Sequence, residues 1–457
     1  SGDTIDLTIQ PSTYQFLPGN ATNTFAYNGD YLGPTVIIDK GNFVQLNVTN
    51  NLPDTTTTHW HGMHVAPEDD GGPHTAIIPG ATWSPDFEVL DNATTFWYHP
   101  HLHGETNRHV TLGAAGMLII RDPVESALAL PRTYGVDDIP LIFQTKNFNN
   151  GNQIQLGGQD DVKMVNGILD PFVNCPAQVV RFRLLNAASS RVFNLGFDDN
   201  RTFHQIGSDG GLLENAVPLT RVRIAPGERA EIVVDLTGET IGNQLVLMSY
   251  GSELPGGVPG GGAPGGGGNP LNGNDFDFMQ INVIAQTAGA ITTVPNSLVA
   301  IDELQEADAD VTRTLTFNGG GPGNPFTIDN TLFNHHVVNQ TVNLGDVEIW
   351  SLVNQTNAAH PFHIHDVQFF VLDRNGNPPP MNERGFKDVV LVFPNETVRF
   401  IAQFNDHADS TIPYMYHCHI LPHEDGGMMG QFLVLDTLQP EVCEFPDGLV
   451  ASNIGTT

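Results

Sequence analysis

One stretch of the chain is written twice. Residues 44–61 read VQLNVTNNLPDTTTTHWH, and residues 348–365 read EIWSLVNQTNAAHPFHIH. With Asn50 set over Asn354, His59 falls over His363 and His61 over His365. A third copy, VVRFRLLNAASSRVFNLGF, runs from 179 to 197. Its Asn186 takes the same place, but Leu195 and Phe197 stand where the other copies have histidines. A second motif repeats as well: WYHPH (97–101) lies over MYHCH (415–419), which sets His99 over His417 and His101 over His419. Repetition of this kind restricts the chain to several copies of one structural unit. The first and last copies carry potential ligands; the middle one does not.

The unit reads as a β-sandwich or barrel. Short stretches rich in Val, Ile, Leu, Thr and Phe, such as 35–38, 44–48, 116–120, 232–236 and 431–435, are punctuated by Gly, Pro, Asn and Asp. Long helical periodicity is nearly absent. The 457 residues are therefore expected to be all-β, in three consecutive units with boundaries in the charged, turn-rich regions 122–137 and 286–311. Residues 1–130 and 301–457 would carry the ligands, and 131–300 would be a ligand-free spacer. The segment GSELPGGVPGGGAPGGGGNP (251–270) reads as a flexible surface insertion, and it lacks the Lys-Ser/Thr pair of a phosphate loop.

Four His-x-His pairs occur: His59/His61, His99/His101, His363/His365 and His417/His419. On a strand, residues two apart point to one face. Each pair can thus reach into one site, and the set can enclose more than one metal ion. The stretch MYHCHILPHEDGGMMG (415–430) adds a different chemistry. Cys418 offers a thiolate, His423 an imidazole and Met428 a weak axial thioether, and His360, just before Pro361, is the natural fourth member. A His₂Cys set with axial Met is the pattern of a blue-copper electron-transfer site. Cys418 lies between His417 and His419, so an electron arriving at its metal has a covalent path into the histidine cluster.

The residues HWHG, WYHPH, HPFHIH and HCHILPHEDGGMM resemble the four copper motifs of the multicopper oxidases, and the resemblance spans essentially the whole chain. It is nearest to bacterial three-domain members, laccase-like or copper-efflux-oxidase-like. It implies three cupredoxin domains and four copper ions. Type 1 copper would take His360, Cys418, His423 and Met428. Type 2 copper would take His59 and His363. One type 3 copper would take His61, His99 and His419, and the other His101, His365 and His417. The implied reaction is one-electron oxidation of a small-molecule reductant at type 1 copper, coupled to reduction of O₂ to water at the trinuclear cluster. That reduction consumes protons, and Glu424 and Asp70 sit where similar bacterial enzymes place proton-relay acids.

The donor is a separate question. Copper-efflux oxidases carry a methionine-rich insertion in domain 3, but the matching place here, FNGGGPGNPFTIDN (317–330), contains no Met. A laccase-like oxidase of phenols and aromatic amines is therefore expected. The alternatives are a cuprous or other metal-ion oxidase, a bilirubin-type oxidase, and a copper electron carrier without oxidase turnover. Asn357, or Ala358, stands where some efflux oxidases have an acidic residue. His64, His74, His103 and His109 are expected to support ligands by hydrogen bonds or simply to be exposed.

A formal net charge of −33 excludes a nucleic-acid partner, which needs a basic footprint. No apolar run approaches a membrane span. A monomer in an exported compartment, periplasmic or extracellular, is expected. There Cys175 and Cys443, the two cysteines left over, could pair.

Overall fold

The computed structural model describes residues 3–157 and 160–436, and the backbone of 450–451. Cys443 lies outside the described residues, and with it the expected bridge to Cys175. Cys175 itself is buried among the apolar side chains of the middle unit.

Three two-sheet sandwiches follow one another, and the same two parallel strand pairs recur in each. Asp3–Tyr14 runs beside Phe43–Asn50, Asp138–Lys146 beside Val179–Asn186, and Val311–Asn318 beside Val347–Asn354. In the facing sheets Val36–Asp39 pairs with Gly116–Arg121, Phe172–Pro176 with Asp275–Ile284, and Gln340–Asn343 with Met429–Leu435. Each pair of sheets closes over one apolar core. Phe43–Asn50 shows how the sequence does this: Val44, Leu46 and Val48 alternate with exposed or half-exposed residues and turn inward. Thr94–His99 and Tyr414–Cys418 are buried on both faces, because the second face meets another domain.

The asparagine of each repeat ends its strand and latches the turn that follows. Asn50 Oδ1 accepts from Leu52 N (2.9 Å), while its Nδ2 donates to the carbonyls of Asp54 (2.9 Å) and Ile77 (2.7 Å). Asn186 does the same with Ala188, Arg191 and Ile224. Asn354 does it with Thr356, Ala358 and Val392. One buried amide thus satisfies main-chain groups that have left the sheet ladder.

The structure corrects the alignment of the middle copy. Phe193, Leu195 and Phe197 all face the core of their own sandwich. In the third sandwich the core-facing residues of the matching strand are Phe362 and Ile364, not the histidines. Leu195 and Phe197 therefore match the residues between the ligands. A one-residue offset after the latch reverses which side chains point inward.

The glycine-rich segment 251–270 also differs from expectation. It folds back on itself, with Gly273 N donating to Gly260 O (2.9 Å). Leu254 and Val258 are buried against Ala359 and Leu391 of the third sandwich. Ala359 N donates to Gly257 O (2.8 Å), so the segment is docked one residue from His360. A side chain at Gly257 would meet Asn357 O at 2.7 Å, and Gly257 has φ +85°. Glycine is what lets the two backbones approach.

Candidate metal centre

The two histidine motifs of each outer sandwich lie on neighbouring antiparallel strands. His59 sits opposite His99, and His363 opposite His417. The outward faces of these strands meet between domains 1 and 3, where all eight paired histidines are at most 1% exposed. Rings from the two domains stack: His59 on His365 at 3.8 Å and His61 on His363 at 3.7 Å between centroids. One nitrogen each of His61, His99 and His419 lie within 4.8 Å of one another; so do those of His101, His365 and His417, and those of His59, His363 and His365.

The hydrogen bonds decide which nitrogens point inward. His59 Nδ1 donates to Asp70 O and His363 Nδ1 to Asp388 O, each at 2.8 Å. Their Nε2 atoms are buried without a hydrogen-bond partner. Buried ring nitrogens facing one another, each with its opposite nitrogen pinned to an acceptor, are what a metal ion requires of imidazole ligands. Burial and the neighbouring rings hold His61, His99, His101, His363, His417 and His419 well below the usual histidine range, so they are neutral and their lone pairs are available. The residues present fit copper.

Two carboxyls flank the centre, and their surroundings push them in opposite directions. Asp70 reaches His365 Nδ1 with Oδ2 at 2.8 Å and His59 Nδ1 with Oδ1 at 3.2 Å. Burial pushes its carboxyl up, but His365 and His59 together outweigh burial and hold it well below the usual range. Glu424 lies on the other side, Oε1 3.6 Å from His101 Nδ1 and Oε2 3.4 Å from His417 Nδ1. Burial, with Asp425 behind it, pushes its carboxyl well above the usual range. Asp425 in turn accepts hydrogen bonds from the main-chain N–H groups of Gly104, Thr106 and Asn107. It caps the short helix Thr106–Thr111 of domain 1 and so ties the segment carrying His423 and Glu424 to the one carrying His101.

The ligand-free domain is more than the spacer expected from its sequence. Its Arg229 crosses into the centre and grips Asp388, Nη1 to Oδ1 at 2.6 Å and Nη2 to Oδ2 at 2.5 Å. Asp388 Oδ1 also accepts from His61 Nε2 at 3.1 Å. Gly227 lies so close that a Cβ there would meet the His419 ring at 2.8 Å. Sequence reasoning missed Asp388, Arg229 and Gly227. Each belongs to a segment without a ligand motif, and only the packing of three domains brings them to the histidines.

A second set faces the other way. Cys418 is opposite Phe362 and points into the core of domain 3, whereas its neighbours His417 and His419 point outward. Cys418 Sγ lies 3.5 Å from His360 Nδ1 and 3.6 Å from His423 Nδ1. Met428 is buried in the same core and tied to both neighbours: its carbonyl accepts from Cys418 N (3.0 Å), and its N–H donates to His423 O (2.9 Å). The far nitrogen of His360 meets Thr356 Oγ1 at 2.9 Å, which fixes the ring. Burial, with a smaller push from His423, takes His360 down to about 3, and burial takes His423 down to about 4. Burial pushes the Cys418 thiol up, so a metal ion binding there displaces a proton. His360 is buried and His423 half-buried, and Phe326 covers both, its ring 4.7 Å and 4.4 Å from theirs.

Of the other histidines, His64 Nδ1 bonds Asp91 Oδ1 at 2.7 Å and His109 Nδ1 meets Thr56 Oγ1 at 3.2 Å, while His103 is exposed. None of the three enters the ligand groups.

Two family profiles, each described as multicopper oxidase, match the chain, one over residues 8–125 and the other over 306–437. The chain belongs to the multicopper oxidase family. It is 33% identical to a multicopper oxidase, mco, of Staphylococcus haemolyticus over 94% of this chain and 88% of that one. It is also 33% identical to the cell division protein FtsP of Sodalis glossinidius, over 95% of this chain and 89% of the other. Among solved structures, a bacterial laccase-like multicopper oxidase, CueO, from a lignin-degrading Ochrobactrum superposes with a TM-score of 0.84 at 33% identity, covering 94% of this chain and 97% of that one. No helix among the described residues is long and apolar enough to cross a membrane.

Proposed function

We propose that this multicopper oxidase is a laccase-like enzyme that takes single electrons from phenols or aromatic amines and passes them to O₂. In this reading type 1 copper is held by His360, Cys418, His423 and Met428. Type 2 copper is held by His59 and His363, and the type 3 pair by His61, His99, His419 and by His101, His365, His417. The chemistry copper supplies when bound is one-electron acceptance at the first set and four-electron reduction of O₂ to two waters at the histidine centre.

The chain's own residues do the rest. Half-buried His423 offers the donor an edge, and Phe326 beside it is an aromatic face for a flat ring to pack against. Cys418 hands electrons through its own backbone to His417 and His419. Glu424, kept protonated by burial, holds a proton on its carboxyl between His101 and His417 for delivery to reduced oxygen. Asp70 stays anionic and fixes His365 and His59. Two carboxyls driven apart by their surroundings can serve as acid and anchor in one centre.

The observation that carries this reading is the strand from Tyr414 to Cys418, whose alternation joins a thiolate site to a sealed histidine centre through adjacent residues. An electron carrier needs only the Cys418 set. Relatives named for cell division match nearly the whole chain as well, so family membership alone does not decide activity; the two complete ligand sets of this chain favour turnover. The test is oxygen uptake by copper-loaded protein with a methoxyphenol and, separately, with Cu(I). Fast uptake with the phenol and little with Cu(I) is expected. The reverse would make it a metal-ion oxidase, and no uptake with either would remove the laccase reading.

A further inference from the structure

All four members of the Cys418 set come from domain 3, yet the two main-chain segments that carry them are each held by a hydrogen bond to domain 2. Ahead of His360, Ala359 N donates to Gly257 O (2.8 Å). Between Cys418 and His423, Leu421 N donates to Ser189 O (2.9 Å). Both N–H groups lie where the ladders of domain 3 give out. Ala359 precedes the strand His360–Ile364, and Leu421 opens the short helix Leu421–Asp425, whose first N–H groups have no partner within the helix. Both residues are buried, and a buried N–H left unpaired is costly.

The two acceptors in domain 2 are tied to each other. Ser189 lies in the turn latched by Asn186, and the same turn holds the glycine-rich segment. Val192 N donates to Pro259 O (3.0 Å), and Arg191 Nη1 donates to Asn272 Oδ1 (2.8 Å). Leu254 and Val258 seal the segment against Ala359 and Leu391. The result is a clamp with one arm on each ligand-bearing segment. The middle repeat carries no ligand, but its latch turn and its glycine-rich segment grip the ligand loops of the last repeat.

We propose that this clamp sets the spacing of the His360 segment against the Cys418–His423 segment, so that domain 2 tunes a site to which it gives no ligand. Gly257 and Ser189 are positioning residues: each acts through a main-chain N–H next to or between ligands. The potential of a His₂Cys site depends on its axial ligand and on the packing and hydrogen bonding around the sulfur. Groups that orient ligands from behind also govern how firmly the metal is held. The proposal rests on the type 1 assignment made above and on nothing about the donor.

The test compares copper-loaded parent protein with two neighbouring substitutions. In G257A the new Cβ would meet the main-chain oxygen of Asn357 at 2.7 Å and must displace it, whereas in G256A it would meet nothing within 4 Å. Three quantities are read: the blue absorption band, the reduction potential of the blue site, and the rate at which its copper passes to a chelator. In G257A the band and the potential should shift and release should quicken about tenfold or more, with the copper of the histidine centre at the parental count. G256A should match the parent in all three. Val258→Ala thins the apolar anchor and leaves the backbone alone; it should move the readouts the same way by less, and it keeps the test open if G257A does not fold. A strap that only stabilises the fold would lower the melting temperature of G257A and leave band, potential and release where they were. That result would overturn the proposal, as would a G256A shift equal to that of G257A. A parent that holds its copper without blue absorption would instead remove the type 1 assignment, and the clamp with it.

Discussion

The two ligand sets of this molecule are built on opposite faces of the same strand and differ in almost everything else. The histidine centre is shared: its rings come from domains 1 and 3, an arginine of domain 2 braces it, and it is sealed from water. The Cys418 set belongs to domain 3 alone, uses the end of that domain's core, and keeps His423 half-exposed. On the proposed function, the site that takes electrons from the donor sits at an edge. A site that must keep water and stray reductants out is enclosed by several domains.

Four substitutions test how separate the two really are. Cys418→Ser should have the largest effect: turnover and the intense blue absorption should vanish while the histidine centre keeps its copper. Blue colour surviving in that variant would remove the electron-inlet assignment. Glu424→Gln should touch only the shared centre. Reoxidation of reduced enzyme by O₂ should slow by roughly 10²–10⁴ while donor oxidation stays near normal. Stopped-flow traces showing equal loss in both halves would deny Glu424 its proton role.

Arg229→Met asks whether the middle domain counts. It leaves the buried Asp388 carboxylate without its arginine, with only His61 still donating to it, a cost of about 3–5 kcal/mol. Urea unfolding should record that loss, and copper analysis should show depletion at the shared centre before the Cys418 set. Thr356→Val is the mildest. It frees one nitrogen of His360 and should cost about 1 kcal/mol. The blue band should shift or broaden, and the histidine centre should show no change in its own spectrum.

Much of this was legible in the chain. The paired histidines, the cysteine between two of them and the Asn repeat carry local signals, because a strand's alternation converts spacing in sequence into position in space. Asp388 and Arg229 carry no such signal. Asp388 reads as an ordinary strand-edge acid in FKDVV and Arg229 as a turn cation in PGERAE; their meaning comes from the docking of separate domains. Phe326 is similar, since nothing local says that a glycine-rich turn will fold an aromatic ring over His360 and His423. The glycine-rich segment misled in the opposite sense. Its composition promised freedom, while Leu254 and Val258 anchor it. The offset in the middle copy was hidden because a shift of one residue preserves an alignment but reverses every side chain.

The division of the shared centre between the first and last domains has a consequence for how the protein comes to exist. A chain emerging from the ribosome completes half the imidazoles early and must wait nearly its whole length for the other half. Until then the early histidines face no partners and can close around no cluster. Loading of that centre thus depends on the finished chain: on the proposed function, reaction with O₂ would appear only in molecules whose first and last domains have docked.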